Sequence, residues 1–116
     1  MEIAKKEFGE EHPNTATTYD NIGSVYDDQG DYPKALEYHF KALKIREKVL
    51  GTDHPDTATT YNNIGALYYT MEEYDKALEY LNKALEIVET KLGPNHPNTQ
   101  TVQESINIVH AAMGKG

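Results

Sequence analysis

The chain repeats itself. Laid over itself at an offset of 42, segment 9–50 matches segment 51–92 with 24 of 42 positions identical. A third copy opens at Gly93 with GPNHPNTQT and continues for one helix length, while residues 2–8 resemble the end of a unit, Ile3 and Phe8 falling where Ile45 and Leu50 fall. A period of this size marks a stack of like units, none of which can bury its apolar face alone. The expected organisation is one domain over 1–116. Within it, 2–8 ends a preceding helix, 9–50 and 51–92 are full repeats, and 93–116 is a half repeat or a C-terminal capping helix.

Each full unit reads as two helices. His-Pro opens the first, since proline suits a first helical position whose N–H would be unpaired anyway. Thr18, Ile22 and Val25 then recur at helical spacing, with Tyr19, Gly23 and Tyr26 beside them. Gln29-Gly30-Asp31 interrupts the pattern. The second helix carries Tyr32, Ala35, Leu36, His39, Ala42, Leu43, Arg46, Val49 and Leu50, matched in repeat two by Tyr74, Ala77, Leu78, Leu81, Ala84, Leu85, Val88 and Leu92. Gly51 and Gly93 are expected to stop these helices. No segment alternates with period two, so the expected fold is all-α: antiparallel helix-turn-helix repeats stacked as a short right-handed superhelical solenoid. Gly23 and Gly65 lie inside helices at a cost of about 1 kcal/mol each relative to alanine. They are expected where another backbone or a bulky ring approaches closely.

Those positions resemble the tetratricopeptide repeat (TPR). Its run of a large aromatic, Leu-Gly, Tyr, then Ala, a large residue and Ala appears as Tyr19, Ile22-Gly23, Tyr26, Ala35, His39, Ala42. It appears again as Tyr61, Ile64-Gly65, Tyr68, Ala77, Leu81, Ala84. The 42-residue period and the G-x-x-H-P-x-T junction look like the kinesin light chain type. His39 departs from the usual large aromatic, Glu72 from the turn glycine, and the third copy loses the pattern after Thr101. The resemblance implies a solenoid whose concave side holds protein segments.

Composition narrows the function. Lys and Arg total 11 against 19 Asp and Glu, a net charge of −8. That disfavours nucleic acid, whose binders need a basic stripe, and anionic membrane surfaces equally. There is no cysteine, hence no disulfide, thiolate metal site or thiol nucleophile. No apolar run has membrane-spanning length and no signal-peptide core opens the chain; the expected location is cytoplasmic. His12, His54 and His96 recur every 42 residues, but a solenoid puts them in different layers, so they are expected to cap junctions rather than share a metal. No catalytic motif or paired-carboxylate site occurs, and adjacent Asp27 and Asp28 diverge on a helix. The reading is non-catalytic, with no cofactor and no metal.

With the packing stripes set aside, the first helices keep another coherent face. It comprises Thr17, Asp20, Ser24, Asp27 and Asp28; Thr59, Asn62, Ala66 and Tyr69; and Thr101, Glu104 and Ile108. Periodicity does not distinguish a groove from a solvated face; the resemblance implies groove. The function expected is a scaffold or adaptor module binding peptides in an acidic groove. The alternative is a structural, self-associating repeat fragment, or an idealised scaffold with no ligand. Partners are expected to be proteins or peptides, basic or mixed basic-apolar. Self-association is a further expectation, either through the N-terminal end face of Thr18, Ile22 and Val25 or by a swap at Glu72, with a closed hairpin favoured over the swap. In the last helix, Val102, Ile106, Val109 and Met113 should pack on 73–92, leaving Gln103, Asn107 and His110 outside.

Overall fold

The computed structural model describes residues 12–114. They form five helices and, among the described residues, no strand. The helices are α1 (Pro13–Asp28), α2 (Tyr32–Val49), α3 (Pro55–Thr70), α4 (Tyr74–Leu92) and α5 (Pro97–Gly114). The pairs α1–α2 and α3–α4 are antiparallel hairpins. α3 packs on α2, and α5 packs on α4 with a lighter contact to α3. The result is a plate of 53 × 33 × 19 Å, all-α as the pattern requires. The expected helix end at 2–8 lies outside the described residues.

The junctions follow one local rule. A histidine precedes each first helix, and its Nδ1 accepts the main-chain N–H two residues on: Asn14 at 3.0 Å, Asp56 at 2.9 Å and Asn98 at 3.0 Å. The ring thus serves one of the N–H groups a helix start leaves unpaired. In the two later junctions a threonine closes the turn, Thr57 donating to the Gly51 carbonyl and Thr99 to that of Gly93. Gly51 and Gly93 take positive φ of 102° and 96° as they end α2 and α4.

Small residues set the distance within each hairpin. A Cβ built on Gly65 would lie 2.6 Å from Leu81 Cγ, and one on Gly23 2.8 Å from His39 Nε2. Ala35, Ala42, Ala77 and Ala84 are fully buried on the facing helices. Tyrosines fill the large side: Tyr26 stacks on Tyr38 and Tyr68 on Tyr80, at centroid separations of 5.6 and 5.8 Å. Lysines of the second helices lie over the same rings, Lys34 over Tyr26 and Lys76 over Tyr68.

Two expectations need correcting at helix ends. Val49 and Met113 are 43% and 41% exposed. Both lie in the last turn of their helices, Val49 closing α2 and Met113 next to the end of α5. The remainder of the α5 stripe, Val102, Ile106 and Val109, is buried against α4, while Gln103, Asn107 and His110 stay exposed. The α3–α4 turn is a closed hairpin. Glu72 adopts φ 65°, and the N–H groups of Glu72 and Glu73 reach the carbonyls of Tyr69 and Tyr68. It copies the Gly30 turn, where φ is 83°, without the glycine.

Candidate functional site

The first helices α1, α3 and α5 present the face singled out in the sequence, and the structure divides its residues into three groups. Thr17, Ser24, Asp28, Thr59, Ala66, Thr101, Glu104 and Ile108 are exposed. Asp27, Asn62 and Tyr69 are half-buried, the Tyr69 ring lying 5.8 Å from that of Tyr74. Asp20 is not on the surface at all.

Asp20 is 7% exposed and belongs to a polar cluster between the first and second repeats. Its Oδ2 accepts from Arg46 Nη1 at 2.6 Å and from the Thr60 hydroxyl at 2.9 Å; its Oδ1 accepts from His39 Nδ1 at 2.8 Å. Arg46, 8% exposed, also donates to the Thr60 hydroxyl (2.8 Å), the Thr17 hydroxyl (3.1 Å) and the Asp56 carbonyl (3.2 Å). One guanidinium therefore ties α1, α2 and α3 together. This corrects the reading of Asp20 as a groove acid: its charge is matched from below by an arginine of the second helix. Buried charge is tolerated only when paired and hydrogen-bonded in this way. The His39–Asp20 pair is a packing element, since the ring is 3% exposed and its Nε2 abuts Gly23.

The sequence held a signal for this cluster that face-by-face reading misses. Repeat two has Asn62, Leu81, Val88 and its follower Val102 where the first unit and its neighbour have Asp20, His39, Arg46 and Thr60. Three of these exchanges put an aliphatic side chain in place of a hydrogen-bonding one and the fourth turns a carboxylate into an amide, all at positions that meet in one place in the first layer.

At the corresponding place in the second layer there is a cavity of about 180 Å³, lined by Ala58, Thr59, Asn62, Val88, Asn98, Thr101 and Val102. Thr59, Asn98 and Thr101 are exposed at its mouth, while Ala58, Val88 and Val102 are buried in its floor. Among the described residues, Asn62 Oδ1 is the buried side-chain polar atom without a hydrogen-bond partner. A larger hollow of about 380 Å³ lies by α4, lined by Thr52, Asp53, Tyr61, Lys83, Glu86, Ile87, Thr90 and Lys91. Its rim includes the Lys91–Asp53 pair at 3.6 Å, 45% and 72% exposed, and an exposed pair of this kind contributes about 0–1 kcal/mol. At its wall the Tyr61 hydroxyl donates to Glu47 at 2.6 Å. Burial first, then that bond and the nearby carboxylate charge, push the Tyr61 phenol well above its ordinary range.

Charge is segregated by helix. Among the described residues every Lys and Arg lies on α2 or α4, whereas α1, α3 and α5 carry only acidic formal charges, leaving Asp28 and Glu104 exposed on the candidate face. None of the described helices is long and apolar enough to cross a membrane.

Comparison with known proteins agrees with this architecture. A family model described as Tetratricopeptide repeat matches residues 1–48, 28–90 and 58–115. Among solved structures, BtubC (BKLC) from P. vanneervenii superposes with a TM-score of 0.87 at 25% identity, over 97% of this chain and 45% of that one. A kinesin light chain-type protein of Podosopora anserina with nearly identical TPR-like repeats gives 0.81 at 22% identity, covering 90% and 50%. A single-residue variant of that protein gives 0.84 at 22% identity, covering 97% and 53%. The chain thus spans about half the length of these relatives. No curated protein matches it significantly.

Proposed function

Because the chain belongs to the tetratricopeptide repeat family, whose repeats mediate protein–protein interaction, we propose that it binds protein segments along the face of α1, α3 and α5 and catalyses nothing. The observation that carries this reading is the segregation of charge: the exposed formal charges on that face are acidic, and every described Lys and Arg is on α2 or α4. A segment lying there meets Asp28 and Glu104 as its charged contacts, Ile108 (51% exposed) as an apolar one, and threonine and serine hydroxyls between them. The favoured ligand is therefore basic or mixed basic-apolar. Exposed charge pairs contribute about 0–1 kcal/mol each, so binding is weak and falls with salt.

Burial of Asp20 sharpens the proposal. Its carboxylate is spent on Arg46 and His39, so substitution there perturbs the fold rather than the ligand. The test is an NMR titration with short basic-apolar peptides and matched acidic ones. Shifts from the basic set should cluster on Thr59, Thr101, Glu104 and Ile108 and shrink in Asp28→Ala/Glu104→Ala. Shifts that avoid this face, or an acidic peptide bound tightly in that variant, defeat the proposal.

A further inference from the structure

The 42-residue offset relates the two layer interfaces residue by residue. In the first, Arg46 fills the space between three helices, and Thr17, Asp20, Asp56 and Thr60 supply its acceptors. Adding 42 to each number puts Val88 in place of the arginine and Thr59, Asn62, Asn98 and Val102 in place of the acceptors. The guanidinium is gone, but the threonine hydroxyl, an amide oxygen in place of the carboxylate, and a main-chain carbonyl keep their register. These residues line the 180 Å³ cavity, and the Asn62 oxygen at the register of the Asp20 carboxylate is buried without a partner.

We propose that this cavity is a guanidinium subsite, taking an arginine side chain of a bound segment where Arg46 sits one layer earlier. The inference rests on the peptide-binding reading and names the residue that the face selects. Three features favour this occupant. An orphaned carbonyl oxygen calls for a donor. Acceptors contributed by two helices suit a rigid planar fork better than a compact, strongly hydrated ammonium. The lining contains no Lys or Arg that would repel a cation. Neutral Asn62 in place of Asp20 also fits a site that must release its occupant, since no buried carboxylate is stranded when it leaves.

The test uses Nα-acetyl-arginine amide as the probe on the whole chain, followed by NMR, with the lysine and citrulline derivatives alongside. The arginine probe should move the Asn62 side-chain amide together with Thr59 and Thr101, with an affinity about tenfold above the citrulline probe. Asn62→Leu should remove that preference. Val88→Arg should abolish the response by filling the cavity from within, each fold being checked by circular dichroism. Equal responses to all three probes, or an arginine response unchanged in both variants, overturn the subsite. Its failure is distinct from failure of the peptide-binding reading. In the first case basic peptides still shift the face but show no preference for arginine over citrulline. In the second the peptides leave the face unmoved.

Discussion

The two layer interfaces of this molecule are built on one backbone plan and filled in opposite ways. Between the first and second repeats, a buried carboxylate, an arginine, a histidine and two threonines hold three helices in one network. Between the second repeat and α5, Val88 and Val102 stand in place of Arg46 and Thr60, and a cavity remains. In both layers the first helix of the next unit packs on the second helix of the unit before it. Common to both layers are the Gly-His-Pro-Thr junction between units and, inside each hairpin, the glycine under a bulky side chain with alanines facing it. The polar network adds register to the first interface; its absence leaves room in the second.

The largest expected effect breaks the network from one side. Arg46→Met strands the Asp20 carboxylate in the interior and should cost about 3–5 kcal/mol in urea unfolding. Adding Asp20→Asn should restore much of that, giving a large coupling in the double-mutant cycle. A small, additive pair of losses would mean that the network is not a unit.

Gly65→Ala and Gly23→Ala probe the close approach of the two helices within each hairpin. Each gains about 1 kcal/mol in helix propensity, but the new methyl meets Leu81 and the Ala77 carbonyl in one case and the His39 ring in the other. Overpacking of this kind costs about 1–3 kcal/mol. Gly65→Ala should be the worse of the two, because the Ala77 carbonyl is backbone and cannot swing away. Equal melting temperatures for the parent and Gly65→Ala would contradict close approach at this position.

The turns provide a smaller contrast. Glu72 holds φ 65° where Gly30 holds 83°, and a non-glycine residue there costs about 1–2 kcal/mol. Glu72→Gly should stabilise the chain by up to about 1 kcal/mol, because the added freedom of the unfolded chain offsets part of the relief. Light scattering of the same pair tests the swap: a dimer fraction that falls in Glu72→Gly would make this turn a hinge.

The smallest effect appears only in alkali. Tyr61 on α3 donates to Glu47 on α2, whereas its counterpart Gln103 bonds Asn107 on its own helix. Because the folded-state phenol is raised above its ordinary value of 10.0, its contribution is complete below that pH and is lost as pH rises beyond it. Stability of the parent should therefore fall more steeply above about pH 10 than that of Tyr61→Phe. At neutral pH the variant loses about 1 kcal/mol with the hydrogen bond. Parallel alkaline profiles would contradict the assignment.

Most of the fold was legible because repetition makes each signal appear twice. Gly51 and Gly93 end helices, His54 and His96 cap them, and Val102, Ile106 and Val109 of the α5 stripe pack as their spacing says. The candidate face was only partly legible. Helical spacing placed Asp20 beside Thr17 and Ser24, but it does not show which way a side chain at the edge of a face turns. That depends on Arg46, which comes from another helix and sits in a stripe otherwise read as apolar. Asn62 carried no warning of its own; its meaning comes from what stands at positions 20, 46 and 88 together.

Both interfaces carry the same register of positions, filled by Arg46 in one and left open as a cavity in the other. The crystal structure of the Asn62→Asp/Val88→Arg/Val102→Thr variant tests this correspondence most directly. The introduced guanidinium should lie in the cavity, about 2.7–2.9 Å from the introduced carboxylate, also bonded to the Thr59 hydroxyl, with the stacking of α3, α4 and α5 unchanged. A guanidinium turned to solvent over an unfilled cavity, or an α5 displaced from α4, would contradict it.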